Sequence, residues 1–313
     1  MEEYDVVIIG LGPAGYAAGI YATRFNMKTL LIGKEPGGQV SESYKIENYP
    51  GFSAIRGMDL ATKFREHAIT LGAEIIDFLE VVEIRKTEKG FEVRTEDDNV
   101  YSGKTLILAT GAKKRKLGLP NEDKLRGRGV SYCATCDAAF FREKIVGVVG
   151  GGDSAVTSAL LLSEYAKKVY LIYRRERKKM RAMPAWIEKA ERNEKIEMIF
   201  NSIPRKLKGE EKLESVIFDR EGEEIEIKMD GLFVEIGTEP ETRIAESLGV
   251  SLNENGHIKV RENMSTNIPG VFAAGDITTG SNMLAQIITA CAEGAIAAES
   301  AYRYIRGGYH EKM

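Results

Sequence analysis

Two cysteines separated by two residues lie near the middle of the chain, and a carboxylate follows them directly. They are Cys133 and Cys136 in the segment Ser-Tyr-Cys-Ala-Thr-Cys-Asp, which ends with Asp137. A CxxC pair in a chain without secretory features is typical of a reversible redox dithiol, because the cytosolic thiol pool keeps ordinary cysteines reduced. The spacing therefore predicts disulfide chemistry at this point.

Zinc binding is the alternative use of a CxxC pair. A structural zinc site needs four ligands. Besides this pair the chain has one cysteine, Cys291, and three histidines, none of them in paired ligand spacing: His67, His257 and His310. This composition favours the redox interpretation and predicts no metal site.

Length and charge restrict the function classes further. The chain has 313 residues, enough for two ordinary domains, and a net charge of -3. That balance disfavours a nucleic acid or an anionic membrane surface as partner. The N-terminus is acidic and lacks signal-peptide features, and no apolar run approaches the ~20 residues that span a bilayer. We expect a cytoplasmic protein with neither a membrane nor a nucleic-acid partner.

The first segment predicts a dinucleotide site. A buried strand over 6–9 is followed without a gap by Gly-Leu-Gly-Pro-Ala-Gly, then by a helix over 14–24 and a second strand over 28–32. The glycines allow a tight turn, approach to a pyrophosphate and close helix packing, and the helix N-terminus faces the phosphates. The predicted contacts are Gly10, Gly12, Pro13, Ala14 and Gly15, with Glu35 after the second strand as the ribose contact.

Polar turns and small residues continue this site. Gly38, Gln39 and Asn48 lie in turns where the chain curls near a ligand, although surface loops have the same composition. A β-meander is predicted over 80–85, 91–95 and 100–102, followed by a separate buried strand over 105–112. That strand ends in small residues that let a planar ligand lie close: Thr110, Gly111 and Ala112.

A second unit of strand, glycine turn and helix begins at residue 145. It follows the basic run 113–116, which we interpret as a solvated linker. The turn is Gly-Gly-Gly-Asp-Ser-Ala, in which Ala155 replaces the third glycine. The next strand ends in Arg174 and Arg175, and guanidinium groups fit a 2′-phosphate, so NADP(H) is favoured over NAD(H). The predicted contacts are Gly150, Gly152, Asp153, Ser154, Ala155, Arg174 and Arg175.

Two dinucleotide sites in one chain imply two cofactors, typically a resident flavin and a visiting nicotinamide. Near the C-terminus a strand ends in Gly275 and Asp276, and this carboxylate can accept hydrogen bonds from a flavin ribityl chain. A helix is predicted from about Met283 to Arg303. Gln286, next to Ile287, lies in its first turn, where the helix N-terminus can face the isoalloxazine.

Over nearly its whole length the chain resembles the low-molecular-weight thioredoxin reductases. The feature that singles out this family is a CATCD segment between two dinucleotide fingerprints. The shared motifs are GLGPAG (10–15), PGGQV (36–40), IENYPG (46–51), ILATGA (107–112), SYCATCD (131–137), GGGDSA (150–155), YRR (173–175), RA (181–182), GLFVEIG (231–237) and VFAAGDI (271–277).

The resemblance implies an α/β fold of two Rossmann-like, three-layer domains. An NADPH domain over 115–243, which carries the CxxC, would be inserted into a discontinuous FAD domain over 1–114 and 244–313. The resemblance also implies FAD and NADPH as cofactors, a homodimer, and thioredoxin or a thioredoxin-like small redox protein as partner. Arg181 would join the 2′-phosphate site.

Roles for the redox residues follow from the same resemblance. Hydride would pass from NADPH to FAD, and the flavin would reduce the Cys133–Cys136 disulfide, with Cys136 on the flavin side. Cys133 would then attack the partner's disulfide, while Asp137 would move a proton beside the dithiol. Phe140 and Phe141 are either a docking patch for the partner or core residues.

The sequence departs from the family at two places. Ala138 stands where the family more often has glycine, and two extra residues separate the paired arginines from Arg181. The longer basic loop leaves NADH or another donor open.

Three further functions also remain open. One is a related reductase whose partner is a peroxiredoxin or a glutaredoxin-like protein. Another is a dithiol oxidase on the same scaffold that uses oxygen. The third is a flavin-binding module with a metal or regulatory CxxC and no turnover.

Overall fold

A computed structural model of the protein describes residues 3–43 and 46–307. These residues form two compact units. The first unit takes the chain up to Ser41, Ile46–Lys113 and the part from Glu239 onward, and the second takes Lys114–Thr238 with the short segment that begins at Glu42. The first unit is therefore discontinuous in sequence.

The strands follow the chain in this order: β1 Glu3–Ile9, β2 Thr29–Gly33, β3 Glu74–Asp77, β4 Val81–Thr87, β5 Gly90–Thr95, β6 Val100–Leu108, β7 Ala112–Lys114, β8 Val130–Ser131, β9 Ile145–Val149, β10 Lys168–Ile172, β11 Ile196–Ile199, β12 Ser202–Lys208, β13 Ser215–Arg220, β14 Glu223–Lys228, β15 Gly231–Val234, β16 Thr238–Pro240 and β17 Val271–Ala273.

The α-helices are α1 Pro13–Arg24, α2 Gly57–Thr70, α3 Glu122–Leu125, α4 Ala134–Asp137, α5 Asp153–Tyr165, α6 Pro184–Glu191, α7 Arg243–Ser247 and α8 Ile287–Ile305.

In the first unit the strands form a sheet in the order β3-β2-β1-β6-β5-β4, and β17 also pairs with β6. The strands β3, β2, β1, β6 and β17 are parallel, whereas β4 and β5 are antiparallel to their neighbours. Side chains alternate along β1, so Ile8 packs in a core with α1 and α8 while Ile9 packs in a core on the opposite face. Layers on both faces explain why β1 is apolar from Val6 to Ile9.

The second unit repeats this plan with a parallel sheet in the order β11-β10-β9-β15-β8. One face packs against α5 and α6, and Val148 belongs to that core. Its neighbour Val149 packs on the other face, against the antiparallel sheet β12-β13-β14 and Phe218. The α/β class with two three-layer, Rossmann-like domains is confirmed.

Two expected element boundaries were wrong. Residues 100–108 form one strand instead of two, because Gly103 carries no side chain and lets β6 pass close to Val7 of β1 without a break. The C-terminal helix begins at Ile287 instead of Met283. Residues Ser281, Asn282 and Met283 have φ of 47°, 55° and 57°, and this left-handed backbone cannot start a right-handed helix.

Within residues 3–43 and 46–307, every helix is too short or too polar to cross a bilayer.

Contact between α1 and α8 sets the geometry of the first unit and can be tested at Gly294. A methyl group there would lie 2.2 Å from the carbonyl oxygen of Ala14. We expect Gly294→Ala to lower the free energy of unfolding by about 1–3 kcal/mol, because the overlap outweighs the higher helix propensity of alanine. Urea unfolding measures this change.

Ile296→Ala is the matched control on the same helix, since Ile296 is 38% exposed. Its effect should be clearly the smaller of the two. Equal stability of Gly294→Ala and the unchanged protein would contradict the packing argument.

Candidate active site

The glycine turn of the first unit is held by backbone contact. Gly10 has φ +117°, and a side chain there would lie 2.1 Å from the carbonyl oxygen of Ala109. A side chain at Gly15 would lie 1.9 Å from the carbonyl oxygen of Gly10. Beside Gly12, by contrast, a Cβ atom would meet nothing within 4 Å. The turn is therefore tightly packed on the protein side and open at Gly12, where α1 begins.

Several predicted flavin contacts meet in this unit although they are far apart in sequence. The closest heavy atom to a Cβ built at Gly38 is the Cα of Gly12, at 3.4 Å. The Asn48 amide donates to Oε1 of Gln286 at 2.8 Å across 238 residues. Gln286 caps α8, so the first helical residue is Ile287. The N-terminus of α8 is thus fixed by Asn48, a residue from a distant turn.

The small residues after β6 are tied down in the same way. The Gln39 side-chain amide donates to the carbonyl of Ala112 at 3.0 Å, and the Thr110 hydroxyl donates to the carbonyl of Glu241 at 2.8 Å. Gly111 has φ +67°, which favours glycine. Glu35 is exposed. The geometry of the Gln39, Thr110, Gly111 and Ala112 contacts fits a cofactor cradle, and the Glu35 carbonyl accepts a hydrogen bond from the backbone N–H of Gly38 at 3.0 Å.

Asp276 has the environment expected of a ligand-binding carboxylate. It follows Gly275, where a Cβ would lie 3.0 Å from the Cβ of Ala14 at the start of α1. Its carboxylate finds no hydrogen-bond partner within residues 3–43 and 46–307. Burial, and then the charge of Glu293, raise the pKa of Asp276 to about 6. A half-buried acceptor without donors, beside an open glycine turn, fits the hydroxyl-rich chain of a flavin dinucleotide.

In the second unit the predicted disulfide is present between Cys133 and Cys136, whose Cα atoms are 5.4 Å apart. Cys133 caps the short helix α4, and its sulfur accepts a hydrogen bond from the backbone N–H of Cys136 at 3.1 Å. Cys133 is half-buried and Cys136 is exposed. The redox pair is therefore formed and accessible.

The residues after the disulfide divide between site and core. Asp137 is half-buried, and within the described part of the chain its carboxylate has no hydrogen-bond partner. Ala138 is buried. Phe140 is 73% exposed, whereas Phe141 is 8% exposed and packs edge-on against Phe233. Only the first of the two phenylalanines is available to a partner.

Glu122 fixes the segment that precedes the disulfide, and the sequence did not predict this role. This carboxylate is 3% exposed and accepts hydrogen bonds from the backbone N–H groups of Leu117 and Gly118, each at 2.7 Å. The hydroxyl of Tyr132, the neighbour of Cys133, also donates to it. Burial and this contact raise the pKa of Tyr132. In the sequence Glu122 is one acid in a charged stretch, and nothing there distinguishes it.

The second glycine turn has the same division between packed and open positions. A side chain at Gly150 would lie 2.1 Å from the carbonyl oxygen of Glu235, and one at Gly151 would overlap the ring of Tyr173. Beside Gly152 a Cβ atom would meet nothing within 4 Å. Gly152 caps α5, whose first residues are Asp153, Ser154 and Ala155. Asp153 accepts a hydrogen bond from the N–H of Met183 at 2.7 Å.

The basic loop folds back on this turn. The backbone N–H of Arg181 donates to the carbonyl of Gly151 at 2.7 Å. Arg174, Arg175 and Arg181 are exposed, and none of their guanidinium groups forms an ion pair with a residue that the structure describes. Three uncommitted guanidinium groups thus belong to a loop that contacts the open glycine turn.

Two other basic residues of the loop, Arg177 and Lys178, are already paired. Arg177 binds Glu191 with an Nη2–Oε2 distance of 2.8 Å, and Lys178 lies 3.2 Å from Glu176. The charges of Arg177 and Lys178 are therefore neutralised locally.

The basic run 113–116 is more ordered than a solvated linker. Lys114 Nζ lies 3.0 Å from Oε2 of Glu235, whose side chain is 5% exposed. Ser158 of α5 also donates to Glu235, at 3.2 Å. The expectation of a merely solvated run was wrong at Lys114, because Glu235 is a buried acid that requires a cation.

Two nucleotide turns and a CxxC disulfide define a flavin-linked disulfide oxidoreductase that uses a pyridine nucleotide. Residues 4–294 match the family described as pyridine nucleotide-disulphide oxidoreductase, and the chain belongs to that family. Membership implies a flavin and a pyridine nucleotide as cofactors.

Within that family the chain groups with the low-molecular-weight thioredoxin reductases. It is 42% identical over 308 residues to the thioredoxin reductase of Bacillus subtilis strain 168, covering 96% of this chain and 95% of that protein. The crystal structure of Lactococcus lactis thioredoxin reductase has a TM-score of 0.92 and 41% identity, covering 97% of this chain and 99% of that one. A 34.2 kDa protein in the rubredoxin operon of Clostridium pasteurianum is 40% identical over 98% of both chains.

The role of Glu122 can be tested by substitution. We expect Glu122→Ala to lower the free energy of unfolding by at least about 2 kcal/mol, because two backbone N–H groups and the Tyr132 hydroxyl lose a buried, charged acceptor. Thermal melting followed by circular dichroism measures the change.

Asp123→Ala is the matched control. The side chain of Asp123 is 75% exposed and pairs only at the surface with Lys116. A Glu122→Ala protein that melts together with the Asp123→Ala protein would show that Glu122 does not organise this segment.

Proposed function

We propose that this chain is a thioredoxin-disulfide reductase that uses NADPH and FAD. The observation that carries the proposal is the Cys133–Cys136 disulfide, formed in a chain that also has two glycine turns, each open at the glycine that caps the following helix, Gly12 or Gly152. The similarity to thioredoxin reductases over nearly the whole chain supports the same substrate.

The first unit would hold FAD. Gly12 and the start of α1 would receive the pyrophosphate, because a helix N-terminus favours phosphate oxygens. Asp276 would accept hydrogen bonds from the ribityl hydroxyls, which supply the donors that it lacks within the unit. The capped start of α8 at Gln286 would face the isoalloxazine.

The remaining predicted contacts would complete the same cradle. The full set proposed for FAD is Gly10, Gly12, Pro13, Ala14, Gly15, Glu35, Gly38, Gln39, Asn48, Thr110, Gly111, Ala112, Gly275, Asp276, Gln286 and Ile287.

The second unit would hold NADPH. Gly152 and the start of α5 would receive its pyrophosphate, and the exposed guanidinium groups of Arg174, Arg175 and Arg181 would bind the 2′-phosphate. A phosphate bound there would be held by charge-assisted hydrogen bonds to these arginines, which form no ion pair with an acidic side chain in the described part of the chain. Gly150, Asp153, Ser154 and Ala155 complete the proposed contacts.

When both cofactors are bound, the flavin supplies a hydride acceptor for the nicotinamide and a two-electron donor for the Cys133–Cys136 disulfide. The chain's own chemistry is thiol–disulfide exchange. The thiolate of Cys133 attacks one sulfur of the partner's disulfide and releases the other as a thiolate. The thiolate of Cys136 then attacks Cys133, which frees the second partner sulfur and restores the intrachain disulfide. Two electrons reach the partner in each cycle.

Asp137 would supply the protons that the released thiolates take up. Each released thiolate takes up one proton to become a thiol, and the half-buried carboxylate next to Cys136 can donate it and recover it from water. The exposed ring of Phe140 would form part of the surface that receives the partner.

The partner in this proposal is thioredoxin or a thioredoxin-like small redox protein. The protein would act as a homodimer in the cytoplasm, without a nucleic-acid or membrane partner. These assignments rest on the resemblance and on the net charge of -3.

Cys136→Ser tests the redox path. This variant should keep the yellow colour of bound flavin but lose at least about 99% of NADPH-dependent thioredoxin reduction, because no disulfide remains to accept electrons. Absorbance and a thioredoxin reduction assay measure the two properties.

Cys291→Ser is the control, since Cys291 lies on α8 and outside the disulfide. It should retain both properties. Thioredoxin reduction that survives Cys136→Ser would contradict the proposed path, and oxygen consumption without thioredoxin reduction in the unchanged protein would favour a dithiol oxidase.

The double change Arg174→Ala and Arg175→Ala tests the nucleotide assignment. It should raise the KM for NADPH by about 100-fold and that for NADH by less than about threefold, because only NADPH carries the 2′-phosphate. Stopped-flow reduction of the flavin by each nucleotide gives the comparison.

Arg177→Ala should change neither value much, since Arg177 is paired with Glu191. Equal losses for NADPH and NADH in the double variant would rule out the assignment.

A further inference from the structure

Glu293 is a buried acid that the proposed redox path does not use. It lies on α8, it is 4% exposed, and no Lys, Arg or His in the described part of the chain pairs with it. An unpaired carboxylate at this depth is costly unless it serves a purpose. In the sequence its only signal is one acid in an otherwise Ala-rich stretch of the helix.

Within the described part of the chain, the hydrogen bonds to the Glu293 carboxylate come from the turn that carries Asp276. Its Oε2 atom accepts hydrogen bonds from the backbone N–H of Gly275 at 2.8 Å and from the Thr278 hydroxyl at 2.9 Å. That hydroxyl in turn accepts from the N–H of Gly280 at 3.0 Å. A side chain at Gly280 would lie 2.5 Å from Oε1 of Glu293. One carboxylate therefore fixes the turn on both sides of Asp276.

Few other charges face this turn. Besides α8, which also carries Cys291, it packs against the uncharged start of α1 and the apolar end of β6. Ile258 bridges to Thr278, and its neighbours are His257 and Lys259. Of all these groups only Glu293 acts on the pKa of Asp276, and it acts in the same direction as burial, raising that pKa to about 6.

We propose that Glu293 is a positioning residue for the flavin dinucleotide, which shapes the turn around Asp276 and, through its negative charge, moves the loss of FAD binding on acidification to higher pH. This inference rests on the proposed function. Ribityl hydroxyls donate to the ionised carboxylate of Asp276, so binding favours loss of its proton. The charge of Glu293 opposes that loss.

The sign of the pH dependence follows from this linkage. In the flavin-free protein Asp276 is ionised above about pH 6 and protonated below it. FAD binding that requires the ionised form is therefore unaffected above this pH and weakens by about tenfold for each pH unit below it. Removal of the Glu293 charge moves the onset of this loss to lower pH.

The experiment is a titration of flavin-free protein with FAD between pH 5 and pH 8, followed by the change in flavin fluorescence. The unchanged protein should lose about tenfold in affinity between pH 7 and pH 5. Glu293→Gln keeps an oxygen that can accept both hydrogen bonds but has no charge, so it should lose less than about threefold.

Two further variants make the result specific. Glu299→Gln removes an exposed acid from the same helix and should reproduce the unchanged profile. Asp276→Asn should bind FAD more weakly with no loss on acidification, and adding Glu293→Gln to it should change the profile no further.

The outcomes separate the two claims. A Glu293→Gln profile that follows the unchanged protein, at equal or uniformly lower affinity, would overturn the role of Glu293. If neither the unchanged protein nor Glu299→Gln binds FAD at any pH, the proposed function itself fails.

Discussion

Backbone contact without intervening side chains is the constraint on which the first unit depends. At Gly10, Gly15 and Gly294 a Cβ atom would lie within 2.2 Å of a carbonyl oxygen. Absence of side chains at these points lets α1 lie against the ends of β1 and β6 and against α8. The N-termini of α1 and α8 thereby lie at the same edge of the first unit, together with the turn that follows β17. A phosphate-binding helix end and a ribityl-binding carboxylate can then serve one ligand.

The same economy shapes the second unit, where Gly150 and Gly151 have no room for a side chain and Gly152 has nothing beside it. Buried acids complete both units. Glu122 and Glu293 are each almost fully buried and each accept hydrogen bonds from backbone N–H groups of a loop. The loop bound by Glu293 carries Asp276, and Glu122 also binds the hydroxyl of Tyr132, the neighbour of Cys133. Carboxylates hold these loops because they accept several charge-assisted hydrogen bonds at once.

Much of the fold could be predicted from the sequence. Each nucleotide turn follows a run of at least four apolar strand residues and opens a helix that contains several small residues, and this local pattern needs no tertiary information. The disulfide followed from the spacing of Cys133 and Cys136. Element limits were harder. The start of α8 was placed too early because nothing in Ser281–Met283 indicates a left-handed backbone, and β6 was divided because Gly103 resembles a break.

Residue type and spacing by themselves determined the two dinucleotide turns, the redox pair and the α/β class, because these depend on interactions between near neighbours in the chain. Only the tertiary structure decided which distant residues meet. The contact of Asn48 with Gln286, the pairing of Lys114 with Glu235, and the hold of Glu293 on the Asp276 turn each join segments that no local pattern connects. Their energies depend on burial, which arises only when the layers pack and exclude water.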